Sequence, residues 1–219
     1  MQDIYIGDEG KGFPLVLVHG FLGSSTMWKP QIDFFKDYFR VITPDLPGFG
    51  KSKNAKPQSS IQSMSNLILD CLEEKKVSKF HLLGHSMGGM VVQEMAIKKG
   101  DKISKLICYS TGPIGEMPGR FETVDESREN LKKNGLKTMA TSVTKTWFVK
   151  GEDAKYFDFC IEVGTQTSIE AADSSLTAFK KWNAVDKLKN IKNETLIIWG
   201  NKDKSYNLSQ VKILKKNIP

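Results

Sequence analysis

The chain has 219 residues, of which 39% are hydrophobic and 26% charged, a composition that excludes a disordered chain and suits one globular unit carrying at most an insertion. No apolar run approaches the roughly 18 residues of a spanning helix, and the start Met1-Gln2-Asp3-Ile4 is unlike a signal peptide, so no membrane association is expected. The formal charge of +7 comes from 32 Lys plus Arg against 25 Asp plus Glu, with Arg confined to Arg40, Arg120 and Arg128. Phosphate grooves recruit Arg forks interleaved with aromatics. Here the basic residues are instead Lys-Lys doublets at expected helix ends, such as Lys98-Lys99, Lys180-Lys181 and Lys215-Lys216. The expectation is a solubilising surface and no nucleic-acid partner. Cys71, Cys108 and Cys160 are odd in number and widely spaced, which argues against a disulfide framework and for a reducing compartment, the cytoplasm.

In chain order, Ile4-Tyr5-Ile6 reads as an antiparallel edge strand before Gly7. Pro14 to Val18 is apolar on both faces, as a central parallel strand is, and Arg40 to Thr43 forms the next, ended by Pro44-Asp45-Leu46-Pro47-Gly48. Ile61, Met64, Leu67, Ile68, Cys71 and Leu72 make a helical stripe up to Lys75. Phe80 to Leu83 is a strand, Met87 to Lys98 a helix, and Lys105 to Tyr109 and Thr195 to Trp199 are two further strands. This alternation predicts an α/β fold, a mostly parallel central sheet flanked by helices. The interval between Ser110 and Glu194 is too long for one crossover and contains four helix-like segments, Glu126 to Lys133, Leu136 to Phe148, Ala154 to Val163 and Ser168 to Lys181. It begins at a strand carboxyl end, where open α/β sheets bind ligands, so a cap over a pocket is expected. The organisation is therefore core over residues 1–112, a helical cap over 113–182, and a return to the core over 183–219.

The chemistry concentrates at Gly84-His85-Ser86-Met87-Gly88, directly after a strand and before a helix. A sharp turn there holds the serine in a strained backbone conformation with its hydroxyl presented, and the small residues on either side let strand and helix nearly touch. Attack by Ser86 on a carbonyl creates an oxyanion, which needs converging N–H donors. The Met87 N–H, at the positive end of its helix, is one, and the loop His19-Gly20-Phe21-Leu22-Gly23 offers the Phe21 N–H as the other. Asp203, on a Gly-bearing loop just past the strand Thr195 to Trp199, suits an acid that orients a histidine. Asp45, in a Pro/Gly-rich turn, reads as structural. Leu22, Met117, Trp147 and Phe148 are the expected pocket side chains. No metal site is expected, because the histidines have no carboxylates at ligand spacing. No cofactor is expected either, since neither G-x-G-x-x-G after the first strand nor a complete phosphate loop occurs.

These motifs, namely His19 to Ser25, Asp45-Leu46-Pro47-Gly48-Phe49-Gly50-Lys51-Ser52, Gly84 to Gly89 and Trp199-Gly200-Asn201-Lys202-Asp203, resemble in order and spacing the α/β-hydrolase fold family over essentially the whole chain. Within it, Lys145-Thr146-Trp147-Phe148 is most similar to 3-oxoadipate enol-lactonase and related carboxylesterases. The resemblance implies a serine hydrolase of a small-molecule ester or lactone, with Ser86 as nucleophile, Phe21 and Met87 as oxyanion donors and Asp203 as acid. Two other readings stay open: a non-catalytic binding protein on the same fold, and a carbon–carbon hydrolase or cofactor-free haloperoxidase.

One component is missing. The order in this fold is Ser, Asp, His, yet no histidine follows Asp203. His81 lies within a strand, His85 beside the nucleophile with its ring expected to point away, and His19 in the oxyanion loop. A helix, a strand and their loops after Asp203 would put the base roughly 20 to 30 residues further on. The expectation is that the last strand, the last helix and the catalytic histidine lie beyond Pro219, and that their absence leaves a strand edge and an apolar strip uncovered.

Overall fold

A computed structural model describes residues 4–116 and 121–219. Six strands form one sheet: β1 (Ile6–Glu9), β2 (Pro14–Val18), β3 (Arg40–Pro44), β4 (Phe80–His85), β5 (Ile103–Tyr109) and β6 (Glu194–Ile198). The order across the sheet is β1-β3-β2-β4-β5-β6, with β1 antiparallel to β3 and every other pairing parallel. The expected α/β architecture is thus the observed one. The edge strand lies two residues later than its apolar run suggests. Its polar residues Asp8 and Glu9 are held by main-chain pairing to Ile42 and Val41, and Asp8 is forked by Arg40 at 2.7–2.8 Å.

Around this sheet are α1 (Lys29–Phe35), α2 (Ile61–Glu74), α3 (Met87–Lys99), α4 (Val124–Trp147), α5 (Phe157–Thr165), α6 (Ile169–Lys181) and α7 (Leu208–Asn217). Helix starts are marked by side chains that accept otherwise orphaned N–H groups: Ser60 for α2, Thr123 with Glu126 in a reciprocal capping box for α4, Ser168 for α6 and Asn207 for α7. Lysine doublets occupy the last turns of α3, α6 and α7, where a cation complements the helix dipole. Gly135 breaks the helical path of α4 with φ 76° and ψ 173°, so the two helices expected on either side of it are present as one kinked element.

The main core lies between the sheet and α2, α3 and α7, with Ile68, Leu82, Val91, Met95, Leu106 and Leu214 buried. The opposite face is covered by α1, where Trp28 and Ile32 pack on Leu15, Leu17 and Val41. Further along that face the sheet is open: Tyr109, Leu196 and Ile198 are 38, 54 and 42% exposed. The register carries Leu17 to Leu83, Ile107 and Leu196 in turn, so these side chains form one apolar strip.

Two features of the topology position a site. From β2 the chain runs to β3 on one side, then crosses back to β4 on the other, so β2 and β4 flank a crevice at their carboxyl ends. The helical insertion α4–α6 leaves and re-enters the core at one place. Ile114 bridges Asn183, the Gly115 N–H donates to the Trp182 carbonyl at 3.0 Å, and the Ala184 N–H donates to the Pro113 carbonyl at 2.9 Å. Buried Glu94 of α3 accepts from Gln62 of α2 at 2.9 Å and from the Trp182 indole at 2.8 Å, which ties the exit of the insertion to the core. Arg128 and Asp173 join α4 to α6 by a two-pronged ion pair, and the Ser168 N–H donates to the Gly48 carbonyl at 2.8 Å. Through Ser168 the start of α6 thus meets the loop that follows β3.

Candidate active site

Ser86 sits between β4 and α3 at φ 54° and ψ −117°, a conformation that a residue with a Cβ adopts only under constraint from its surroundings. The constraints are visible. The Ser86 N–H continues the β4–β5 ladder to the Tyr109 carbonyl at 3.0 Å, and its own carbonyl accepts from the Thr111 hydroxyl at 2.8 Å and the Met90 N–H at 3.2 Å. The flanking glycines are needed for space. A Cβ on Gly84 would lie 2.2 Å from the Gly88 carbonyl oxygen, and one on Gly88 would lie 2.3 Å from that of Val18. The turn thus points the Ser86 hydroxyl into a cavity at the crevice.

That cavity is lined by Phe21, Met90, Gly115, Phe121, Val143, Trp147 and Phe179, with Ser86, Ser205 and Tyr206 as its hydroxyl groups. Trp147, expected there, lines it. Leu22 and Phe148 do not. Leu22 is fully buried with φ 56°, and its backbone abuts Gly164 of α5, so it anchors the loop rather than facing the cavity. Phe148 is the residue that terminates α4, one position past Trp147, and is not part of the cavity wall. Met117 lies outside the described residues.

The Phe21 loop approaches the serine from β2. A Cβ on Gly20 would stand 3.0 Å from that of Ser86, and the Phe21 ring meets Phe179 of the insertion edge-on at 5.5 Å. Asp45 holds this loop with one oxygen on the Ser25 N–H and the other on the Lys51 N–H, the structural part expected of it. Among the described residues, neither the Phe21 N–H nor the Met87 N–H donates to another protein group.

Asp203 lies on the β6–α7 loop. Its Oδ1 accepts the Ser205 and Tyr206 N–H groups at 2.8 and 2.9 Å, a local turn that delivers Tyr206 to the cavity. The buried Tyr206 phenol is 3.2 Å from Ser86 Oγ. Sequence reasoning missed this tyrosine, although an aromatic with a polar end three residues past Asp203 was a usable signal.

None of the three histidines bonds to Ser86. His19 is buried, with Nδ1 donating to the Gly20 carbonyl at 2.8 Å and Nε2 accepting from the Leu46 N–H at 2.9 Å. Burial pushes its pKa down against the opposing pull of Asp45, so it is a neutral strut for the loop. His81 stacks with Phe13 and Phe39. His85 turns away from the serine, against Trp28 and Tyr109. Burial, with His19 adding to it, pushes the His85 pKa down from 6.5 to about 4. The folded ring then stays neutral while the unfolded chain protonates below 6.5. Stability is complete above that pH and lost as pH falls from 6.5 toward 4. His85→Gln should therefore lose less of its urea midpoint between pH 7 and pH 5 than the parent, and an equal loss would refute His85 as a source. Burial also raises the Cys108 thiol to about 12, which removes it as a competing nucleophile. Among the described residues no group of three His, Cys, Asp or Glu could hold a metal ion, and no helix is long and apolar enough to cross a membrane.

A family profile described as alpha/beta hydrolase fold matches residues 14–219. A pimeloyl-[acyl-carrier protein] methyl ester esterase of Legionella pneumophila (strain Corby) is 31% identical over 223 residues, covering all of this chain and 87% of the relative. Among solved structures, an esterase from Exiguobacterium antarcticum superposes with a TM-score of 0.90 at 24% identity, over 99% of this chain and 84% of that one. An enol-lactonase from Burkholderia xenovorans LB400 gives 0.88 at 19%, over 99% and 85%.

Proposed function

The chain belongs to the α/β-hydrolase fold family, and on that premise we propose that it is a serine hydrolase cleaving a small-molecule ester or lactone through an acyl-enzyme on Ser86. The observation that carries this reading is the strained turn at Ser86, φ 54°, aimed into a cavity walled by Phe21, Met90, Val143, Trp147 and Phe179. A binding protein has no physical need to hold a serine in that conformation. The 31% identical relative is named as a methyl ester esterase, which supports an ester as the substrate class.

In the proposed cycle, the acyl part of the substrate lies among Phe21, Met90, Val143, Trp147 and Phe179, beneath residues 113–182 acting as a cap. Ser86 Oγ attacks the carbonyl carbon and its proton passes to a histidine. The carbonyl oxygen, now negative, is held by the Phe21 and Met87 N–H groups at the start of α3. The alcohol leaves with the proton, and water, activated by the same histidine, then attacks the acyl-enzyme and frees Ser86. Asp203 is the acid. With Oδ1 engaged by its own loop, Oδ2 is the oxygen that orients the imidazole.

The histidine itself is proposed to come from a segment following Pro219. The engagement of His19, His81 and His85 elsewhere supports this, as does the open apolar strip at Leu196 and Ile198, which such a segment would cover. Three free, buried cysteines fit a reducing compartment, and the cytoplasm is the proposed location. The test is hydrolysis of p-nitrophenyl acetate by the chain ending at Pro219 and by the product of the gene read to its stop codon. The longer form should be faster by at least about a thousandfold, the order of effect of removing a triad base. Equal rates would overturn the placement of the histidine. A folded gene product without any turnover would overturn the hydrolase.

A further inference from the structure

We propose that Tyr206 is a further catalytic residue of this site, its phenol donating a hydrogen bond to Ser86 Oγ. The inference rests on Ser86 being the nucleophile. Its basis is the 3.2 Å separation of the two hydroxyl oxygens and the way the loop fixes the ring. The Tyr206 N–H is bound by Asp203 Oδ1 at 2.9 Å, and the Tyr206 carbonyl accepts from the Trp199 indole at 2.8 Å. The next residue, Asn207, caps α7. With the backbone held on both sides and the side chain buried, the phenol has little freedom to leave the serine. The donor direction follows from chemistry: a phenol, with a pKa near 10, is the stronger acid of the two, and the serine proton is needed for the base.

The bond acts at a reacting atom. Ser86 Oγ gains negative charge twice in an acyl-enzyme cycle, once as it attacks and again as it departs from the acyl group in the second step. A donor already in place stabilises both moments without reorganising, in a cavity partly walled by Phe21, Met90, Val143, Trp147 and Phe179. Tyr206 keeps its own proton throughout, so no extra acid or base enters the balance. Asp203 thereby gains a second task, because the oxygen that closes its loop also sets the position of the phenol.

The test compares the full gene product with its Tyr206→Phe and Ser86→Ala forms, using p-nitrophenyl butyrate for turnover and an activated p-nitrophenyl phosphonate for stoichiometric labelling followed by mass. Rates are expressed per site that the phosphonate titrates, so unfolded protein does not count. Phe fills the same volume, and the expected result is a fall in kcat and in labelling rate of about 10- to 100-fold with KM changed less than about twofold. A merely structural tyrosine would move KM or the number of titratable sites and leave kcat per site unchanged. Parent and Tyr206→Phe reacting equally, with Ser86→Ala inert, would overturn the role of Tyr206 and leave the serine hydrolase standing. A parent that neither turns over nor labels would overturn both.

Discussion

Replacing Ser86 by Ala should reduce ester hydrolysis by the full gene product at least about a thousandfold while leaving the fold intact. The size follows from what is removed. In the proposed cycle no acyl-enzyme forms without Oγ, and only the proposed donors, the Phe21 and Met87 N–H groups, and the cavity remain to assist water. The intact fold follows from what stays. The backbone bonds of Ser86 to Tyr109 and Met90 and the bond from the Thr111 hydroxyl to its carbonyl do not involve the side chain. Alanine inherits the same φ of 54° that serine already tolerates, so no new strain enters. The lost Tyr206 contact is a single hydrogen bond, worth about 1 kcal/mol. Turnover measured beside the thermal unfolding midpoint checks this. A variant that folds and still hydrolyses at near the parental rate would remove Ser86 from the mechanism.

A large effect on stability is expected at Gly88. An added methyl would stand 2.3 Å from the Val18 carbonyl oxygen and 2.5 Å from that of His19. Both atoms are main chain at the end of β2, so no side-chain rotation relieves the overlap. Helix α3 would have to retreat from the sheet, unpacking Met87, Val91 and Met95, all fully buried. Gly88→Ala should cost about 3 kcal/mol or more, which urea unfolding would register as a lower midpoint. On the proposed mechanism it should also blunt catalysis, because the same movement carries the Met87 N–H away from the position assigned to the oxyanion. Gly200→Ala is the control: nothing lies within 4 Å of its added Cβ, and its midpoint should be within about 0.5 kcal/mol of the parent. Equal losses in the two variants would refute the close-approach argument.

These two positions show how the site was legible. Ser86 and its glycines were recognised because a strained turn between a strand and a helix admits few residue types, and that restriction leaves a local mark. The same holds for the apolar runs that became β2 to β6, whereas the two helices expected on either side of Gly135 form one kinked element. Helix α1 was not anticipated. Pro30 and the exposed Phe34 obscure its period, although Pro is compatible with a helix's first turn. The edge strand was anticipated in kind but not in position, since Asp8 and Glu9 take strand geometry from β3 rather than from their own propensity.

By itself the sequence determined the layered α/β architecture and the strand-to-helix turn at Ser86, and it marked the loops that carry Phe21 and Asp203, because each depends on residues close together in the chain. Only the tertiary structure decided which side chains share the cavity. It set Trp147 into the wall and left Leu22 and Phe148 out, and it brought Tyr206 across 120 residues to within hydrogen-bonding distance of Ser86. It also accounted for each histidine, fixing His19 between two backbone groups and folding His85 against Trp28. The physical reason is common to all of these: a turn is written in a few neighbouring residues, whereas a pocket wall is set by how separate elements pack, and no local pattern records that.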